Sequence, residues 1–196
     1  MAHSTNVEAC ATSERMTSLI MSGNITKSLL IITGTMGSGK TSVLGEASDI
    51  LKLHNIVHAA VDVDALGLAY LPAAVANDEV MHGNLQSVCD NYASIGVTRF
   101  LFGRALESRA ELDLYRRIVL PTNTLVCRLT ANIETMERRV KERESGVSQG
   151  EYVGRVAKLN VVLDRVRCED FSITNENRSI SAVAQEMLAK AGWIST

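Results

Sequence analysis

Short, wholly apolar runs recur along this chain, separated by stretches whose apolar positions return every three or four residues. Leu29 to Ile32 is the first such run, and residues 28–33 are predicted as a strand. From Gly39 to about Leu53 the period changes. Val43, Leu44, Ala47, Ile50 and Leu51 fall on one face of a helix. The alternation continues, with strands predicted at Ile56–Val61, Val97–Phe102, Thr124–Leu129 and Phe171–Thr174. Helical stretches are predicted near 65–94, 106–118, 132–144 and 152–167. Gly146 and Gly150 bracket a polar turn, Ser179 stands where an N-cap is needed, and Gly192 ends the last helix. This order predicts an α/β fold of three layers, a five-stranded parallel sheet with helices on both faces. Residues 1–27 break the pattern. Rich in Ser and Thr, they read as a mobile or loosely helical polar extension ahead of one domain at 28–196.

The first strand runs directly into Gly34-Thr35-Met36-Gly37-Ser38-Gly39-Lys40-Thr41, followed by Ser42. A strand that ends in a glycine-rich turn and restarts as a helix turns several backbone N–H groups toward one point at a helix N-terminus, where an anion is favoured. Gly34, Gly37 and Gly39 permit the backbone angles this turn requires. Lys40 is spaced to reach β- and γ-phosphate oxygens, and the Thr41 hydroxyl to ligate Mg²⁺.

In open parallel sheets, ligands sit at the carboxyl ends of the strands. The second strand ends Val61-Asp62-Val63-Asp64, whose alternate carboxylates project to one side if the chain stays extended. One of the two can organise Mg²⁺, directly or through water, and the other can orient an attacking hydroxyl. The third strand ends Phe102-Gly103-Arg104 without a carboxylate, and its glycine is expected to let a substrate approach the backbone. Residues 138–155 hold the main basic cluster, in which Arg139 and Arg143, four apart, share a helix face. Cations over a transferring phosphoryl group, with a cover that excludes water, are what such chemistry needs.

Composition narrows the rest. The 196 residues, 46% hydrophobic, suffice for one sizeable core. Lys and Arg number 20 against 22 Asp and Glu, so the chain lacks the basic excess of a nucleic-acid binder. Cys10, Cys89, Cys127 and Cys168 are scattered with no C-x-x-C pair, which points to reduced thiols and a cytoplasmic setting. Apolar runs fall short of membrane-spanning length.

The loop, the Asp-x-Asp after strand two, the glycine after strand three and the arginine-rich helix–turn–helix resemble the P-loop small-molecule kinases of the nucleotide-kinase-like group. Shikimate kinase and adenylylsulfate kinase are the nearest in pattern, chloramphenicol phosphotransferase a looser one. The shared order covers about residues 28–191. The resemblance implies the P-loop NTPase fold, an acceptor segment at about 65–96 and a lid at about 138–155. It implies that Gly34 to Ser42, including Thr35, Met36 and Ser38, hold ATP, with Lys40 on the phosphates and Thr41 on magnesium. Asp62 corresponds to a magnesium-organising carboxylate and Asp64 to one that handles the acceptor hydroxyl, and the two could be exchanged. Arg139 and Arg143 fall in the lid, Arg155 on the segment returning from it, and Asn175 in the stretch that holds adenine.

One departure bears on the acceptor. From Leu53 to Thr98 there is no Lys or Arg, and a buried anion without a cation is expensive. The expected activity is therefore transfer of the ATP γ-phosphate to a hydroxyl of a small neutral or cationic molecule, by a monomer or homodimer. A nucleotide-binding switch module with little turnover and a nucleoside monophosphate kinase are the alternatives.

Overall fold

The computed structural model describes residues 26–195, so most of the expected N-terminal extension lies outside the described residues. Five strands, β1 (Ser28–Thr33), β2 (Ala59–Asp62), β3 (Arg99–Gly103), β4 (Asn123–Thr130) and β5 (Phe171–Thr174), form one parallel sheet in the order β2-β3-β1-β4-β5. Six helices accompany them: α1 (Lys40–Leu53), α2 (Asn77–Ser94), α3 (Arg109–Val119), α4 (Ile133–Arg143), α5 (Gln149–Val166) and α6 (Ile180–Lys190).

The two-residue period of β1 divides the core. Leu29 and Ile31 face one side, where they join Phe100, Phe102, Leu85 of α2 and Tyr115 of α3. Leu30 and Ile32 face the other, with Leu101, Cys127, Leu44 of α1 and Met187 of α6. All four β1 residues are at most 1% exposed, which is why a continuous apolar run rather than an alternating one marks this central strand. The α4–α5 pair has its own small core, Met136, Val140 and Val156, packed against Met36 of the glycine-rich turn.

The register levels the working ends of the strands. Ile32 of β1 lies opposite Gly103 of β3, and Gly103 opposite Asp62 of β2. The glycine-rich turn, the end of β2 and the start of the β3–α3 loop therefore open at one edge.

Several boundaries differ from the sequence expectation, each for a local reason. Strand β2 begins at Ala59 rather than Ile56, because Asn55 turns the chain with φ 53° and Ile56 N–H donates back to Leu51 O at 2.9 Å. The stretch 65–94 is not one helix. A 3₁₀ turn at Asp64–Gly67 gives way to irregular chain through Pro72 before α2 starts at Asn77. Gly150 lies in the first turn of α5, not in the preceding loop. The predicted cap at Ser179 is present, its Oγ accepting from Ala182 N–H at 3.2 Å, and Gly192 follows the helix with φ 68°. Cys89, Cys127 and Cys168 are free thiols, and burial pushes Cys89 and Cys127 up to about 12.

Leu30 is fully buried and Leu53 is 81% exposed at the end of α1. Leu30→Ala should cost roughly 2–5 kcal/mol, whereas Leu53→Ala should stay within about 0.5 kcal/mol. Urea denaturation of the two variants checks this.

Candidate active site

The turn between β1 and α1 is enclosed from outside. At Gly37, φ 77°, an added Cβ would fall on the backbone carbonyl of Met136, because the first turn of α4 rests directly on the loop. At Gly39, φ 101°, an added Cβ would collide with the Asn175 side-chain amide. That amide, 4% exposed, donates to Ser38 O at 2.8 Å, while Asn175 N–H donates to Thr130 O at 2.7 Å. Arg139 of α4 spans the same gap, donating to Gly37 O at 3.2 Å and to Asn175 O at 2.9 Å. Thr35 closes the inner side, its Oγ1 donating to Val156 O of α5 at 3.0 Å.

At the head of α1, Lys40 Nζ curls back over the turn, donating to Gly34 O at 3.0 Å and Thr35 O at 3.3 Å. Burial holds this ammonium below its usual range, against the pull of Asp64 and Asp62. Thr41 Oγ1 donates to Asp62 Oδ2 at 2.8 Å.

The two carboxylates do not project from one extended strand as expected. β2 ends at Asp62, Val63 turns with φ −67° and ψ −33°, and Asp64 begins the 3₁₀ turn. Asp64 pairs with the Arg104 guanidinium. Arg104 is anchored from behind by Glu111, which accepts from its Nε at 2.8 Å and from Tyr115 O–H at 2.8 Å. Burial alone would lower the Arg104 pKa. The hydrogen bond and charge of Glu111, then of Asp64, outweigh it and raise it.

Gly103 serves a different purpose from the one expected. It is buried, and its open side faces Leu44 of α1 rather than the cleft, so it makes room for the helix, not for substrate.

These elements border a cleft of about 820 Å³. Met36, Gly37, Gly39 and Lys40 through Ser42 line one end, with Arg139 and Arg143 of α4 above them. Asp62 stands with them beside Thr41, and Asp64, Arg104 and Arg155 line the other end. Arg155 Nη2 donates across to Glu107 Oε1 at 2.6 Å. Gly34, Thr35, Ser38 and Asn175 stand behind the wall rather than in it. Asn175 is thus committed through its side chain to the loop and through its carbonyl to Arg139.

Sequence reasoning passed over two residues. Glu111 fixes Arg104, and its signal was available: Ser108-x-x-Glu111 is a capping pattern, and Ser108 Oγ accepts from Glu111 N–H at 3.2 Å. Glu176 accepts from Asn132 N–H at 3.1 Å and Thr135 O–H at 2.7 Å, capping α4 from the β5–α6 loop. These bonds, the Thr135 one first, hold its carboxyl below the usual range. No local pattern announces a cap contributed from 41 residues away.

The residues present fit a nucleotide phosphate with Mg²⁺. Ser38 Oγ is buried without a partner inside the turn, the loop glycines hold left-handed angles, and Lys40 adds a cation beside them. Among the described residues no group of three or more His, Cys, Asp or Glu is placed to hold a metal. One hydroxyl and one carboxylate, Thr41 and Asp62, suit Mg²⁺, which keeps waters and takes its remaining ligands from phosphate.

No family model matches the sequence, and no curated protein does. Solved structures do. Shikimate kinase from Acinetobacter baumannii in complex with shikimate is 16% identical, covers 85% of this chain and 93% of its own, and superposes with TM-score 0.54. APS kinase of Mycobacterium tuberculosis in complex with AMPPNP and APS is 19% identical, with 85% and 98% covered and TM-score 0.56. The Deinococcus radiodurans tunicamycin resistance protein is 14% identical, with 86% and 97% covered and TM-score 0.59. The chain has the fold of the P-loop small-molecule kinases.

The wall around the turn makes a sharp contrast between glycines. Gly37→Ala should abolish ATP binding and destabilise the protein by roughly 1–3 kcal/mol, the scale of a strained backbone position. Gly45, exposed in α1 with nothing within 4 Å of an added Cβ, should gain roughly 0.5–1 kcal/mol as Gly45→Ala. Thermal melts with nucleotide titration compare the two.

Proposed function

We propose that this chain is an ATP-dependent phosphotransferase that moves the γ-phosphate of ATP to a hydroxyl of a small neutral or cationic molecule. The observation that carries the reading is the Thr41 Oγ1–Asp62 Oδ2 pair, 2.8 Å apart and beside Lys40, in a cleft with room for a nucleotide and a second small molecule. The kinase fold supports it.

In this reading the backbone of Gly34 to Ser42 cradles the phosphates, and Lys40 exchanges its loop carbonyls for phosphate oxygens. Thr41 and Asp62 would hold Mg²⁺, which would supply charge neutralisation to the phosphates. Arg139 and Arg143 supply positive charge over the transferring group. Asp64, held in place by Arg104, orients the acceptor hydroxyl and accepts its hydrogen bond.

The acceptor's charge is argued from pairing. Arg104 is already bound to Asp64 and Glu111, and Arg155 to Glu107. At this end of the cleft, an acceptor phosphate or carboxylate displaces one of these carboxylates before it finds a cation. That supports a neutral or cationic acceptor over a nucleoside monophosphate.

Lys40→Ala should weaken ATP–Mg²⁺ binding or abolish turnover without changing the melting temperature, read by calorimetry and by ADP release over an acceptor screen. Asp62→Asn or Asp64→Asn should lower kcat roughly 10²-fold. Wild-type values in all three variants would leave the loop and carboxylates without a role.

Acceptor charge is tested with a matched pair, a nucleoside and its monophosphate, at saturating ATP. The uncharged member should have the higher kcat/KM. A clear advantage for the phosphate would assign Arg104 or Arg155 to anion binding.

A further inference from the structure

Residues 65–76 read Ala-Leu-Gly-Leu-Ala-Tyr-Leu-Pro-Ala-Ala-Val-Ala. The Tyr70 hydroxyl is the one polar side-chain group in the segment, yet most of it faces solvent. Leu68 is 87% exposed, Tyr70 fully so, and Val75 43%. Exposed loops of ordinary domains are polar, and a contiguous apolar stretch on one marks a surface that meets something. The segment is also anchored. Leu66 turns inward against the core, and its carbonyl accepts from Asn84 Nδ2 at 3.0 Å, as Gly67 O does from Asn77 Nδ2 at 3.0 Å.

The start of this segment forms part of the cleft. Ala65 and Leu68 line its acceptor end, and Ala105, Tyr152 and Leu159 line it too, with Met36 reaching across from the turn to pack on Ala105 and Leu159. Tyr152, Arg155 and Leu159 share one face of α5, and the arginine among them is engaged by Glu107. The charged groups at this end are thus paired with one another, and the surface left for a ligand is apolar.

We infer that the acceptor is an uncharged alcohol with a bulky apolar body, an aromatic ring or branched hydrocarbon, which lies between Leu68 on one side and Met36 and Leu159 on the other. The inference rests on the phosphotransferase reading and narrows its acceptor. Charge argues against a bilayer as the occupant. The segment is flanked by Asp62, Asp64, Asp78 and Glu79, with no Lys or Arg from Leu53 to Thr98. Peripheral segments that seat on anionic membranes carry basic flanks.

The full chain, with a non-hydrolysable ATP analogue and Mg²⁺, is titrated with 2-phenyl-1,3-propanediol and with glycerol, which differ in a phenyl group against a hydroxyl. The aromatic diol should bind about tenfold or more tightly, the scale of burying one ring. Leu68→Asn, at an exposed position that lines the cleft, should reduce that advantage below about threefold, whereas Tyr70→Ser, exposed outside the lining, should leave it intact, both with unchanged analogue affinity and melting temperature. Equal binding of the two alcohols, no measurable binding of either, or an advantage that survives Leu68→Asn overturns the inference. So does co-sedimentation with phosphatidylcholine–phosphatidylserine vesicles that the substitutions abolish, or a dimer that they dissociate. Failure of the phosphotransferase reading registers separately, as a wild-type chain that does not bind the ATP analogue.

Discussion

The close seating of α4 on the glycine-rich turn is the constraint on which the cleft depends. The Met136 carbonyl occupies the space that a Cβ at Gly37 would need, and the Asn175 amide does the same at Gly39. The glycines are therefore required twice, for their left-handed angles and for the absence of side-chain bulk on the outer side. Arg139 and Asn175 bind the carbonyls that this packing brings together, Gly37 O and Ser38 O among them. A turn held in this way has little conformational freedom left to lose on binding, which is what a preorganised anion site requires.

Charge is distributed unequally along the cleft. At the turn, cations are held by weak or exchangeable partners. Lys40 lies on two carbonyls of its own loop, and Arg143 on the carboxylate next to it in sequence, exposed to solvent. At the other end, Arg104 is clamped between a largely buried Glu111 and Asp64. An incoming phosphate can displace the first set at small cost, whereas breaking the second leaves a buried carboxylate uncompensated. The contrast separates an end built for anions from one whose charges are already satisfied.

The helices fall into two functional groups. α1 and α6 on one face of the sheet, α2 and α3 on the other, are core-bearing and hold the strands in register. α4 packs on the turn through Met136 and on α5 through a small cluster of its own. Glu176 caps α4 from the β5–α6 loop, so the element that carries Arg139 and Arg143 is tied to the strand end beside it.

The strand order of apolar runs, the helical stripe from Val43 to Leu51 and the phosphate-binding turn were all legible in the amino-acid sequence, because each is set by neighbours along the chain. Periodicity reports burial, and a glycine-rich turn of fixed spacing reports its own backbone. The apolar 65–76 segment misled the reading toward a long helix. Its composition is that of a buried element, but Pro72 and a polar restart at Asn77 break it, and only the fold shows that it lies outside the core. The partners of Arg104, Arg139, Arg155 and Asn175 were decided by tertiary structure alone. Apart from Arg104–Glu111, seven residues apart, each bond joins residues dozens of positions apart, and nothing local distinguishes an arginine that will meet a carbonyl of the turn from one that will meet a glutamate across a cleft. The sequence by itself determined which elements form and where phosphate can be held. The packing of those elements determined which charges are cancelled and which face a ligand, since that depends on distances the chain acquires only when the sheet closes its register.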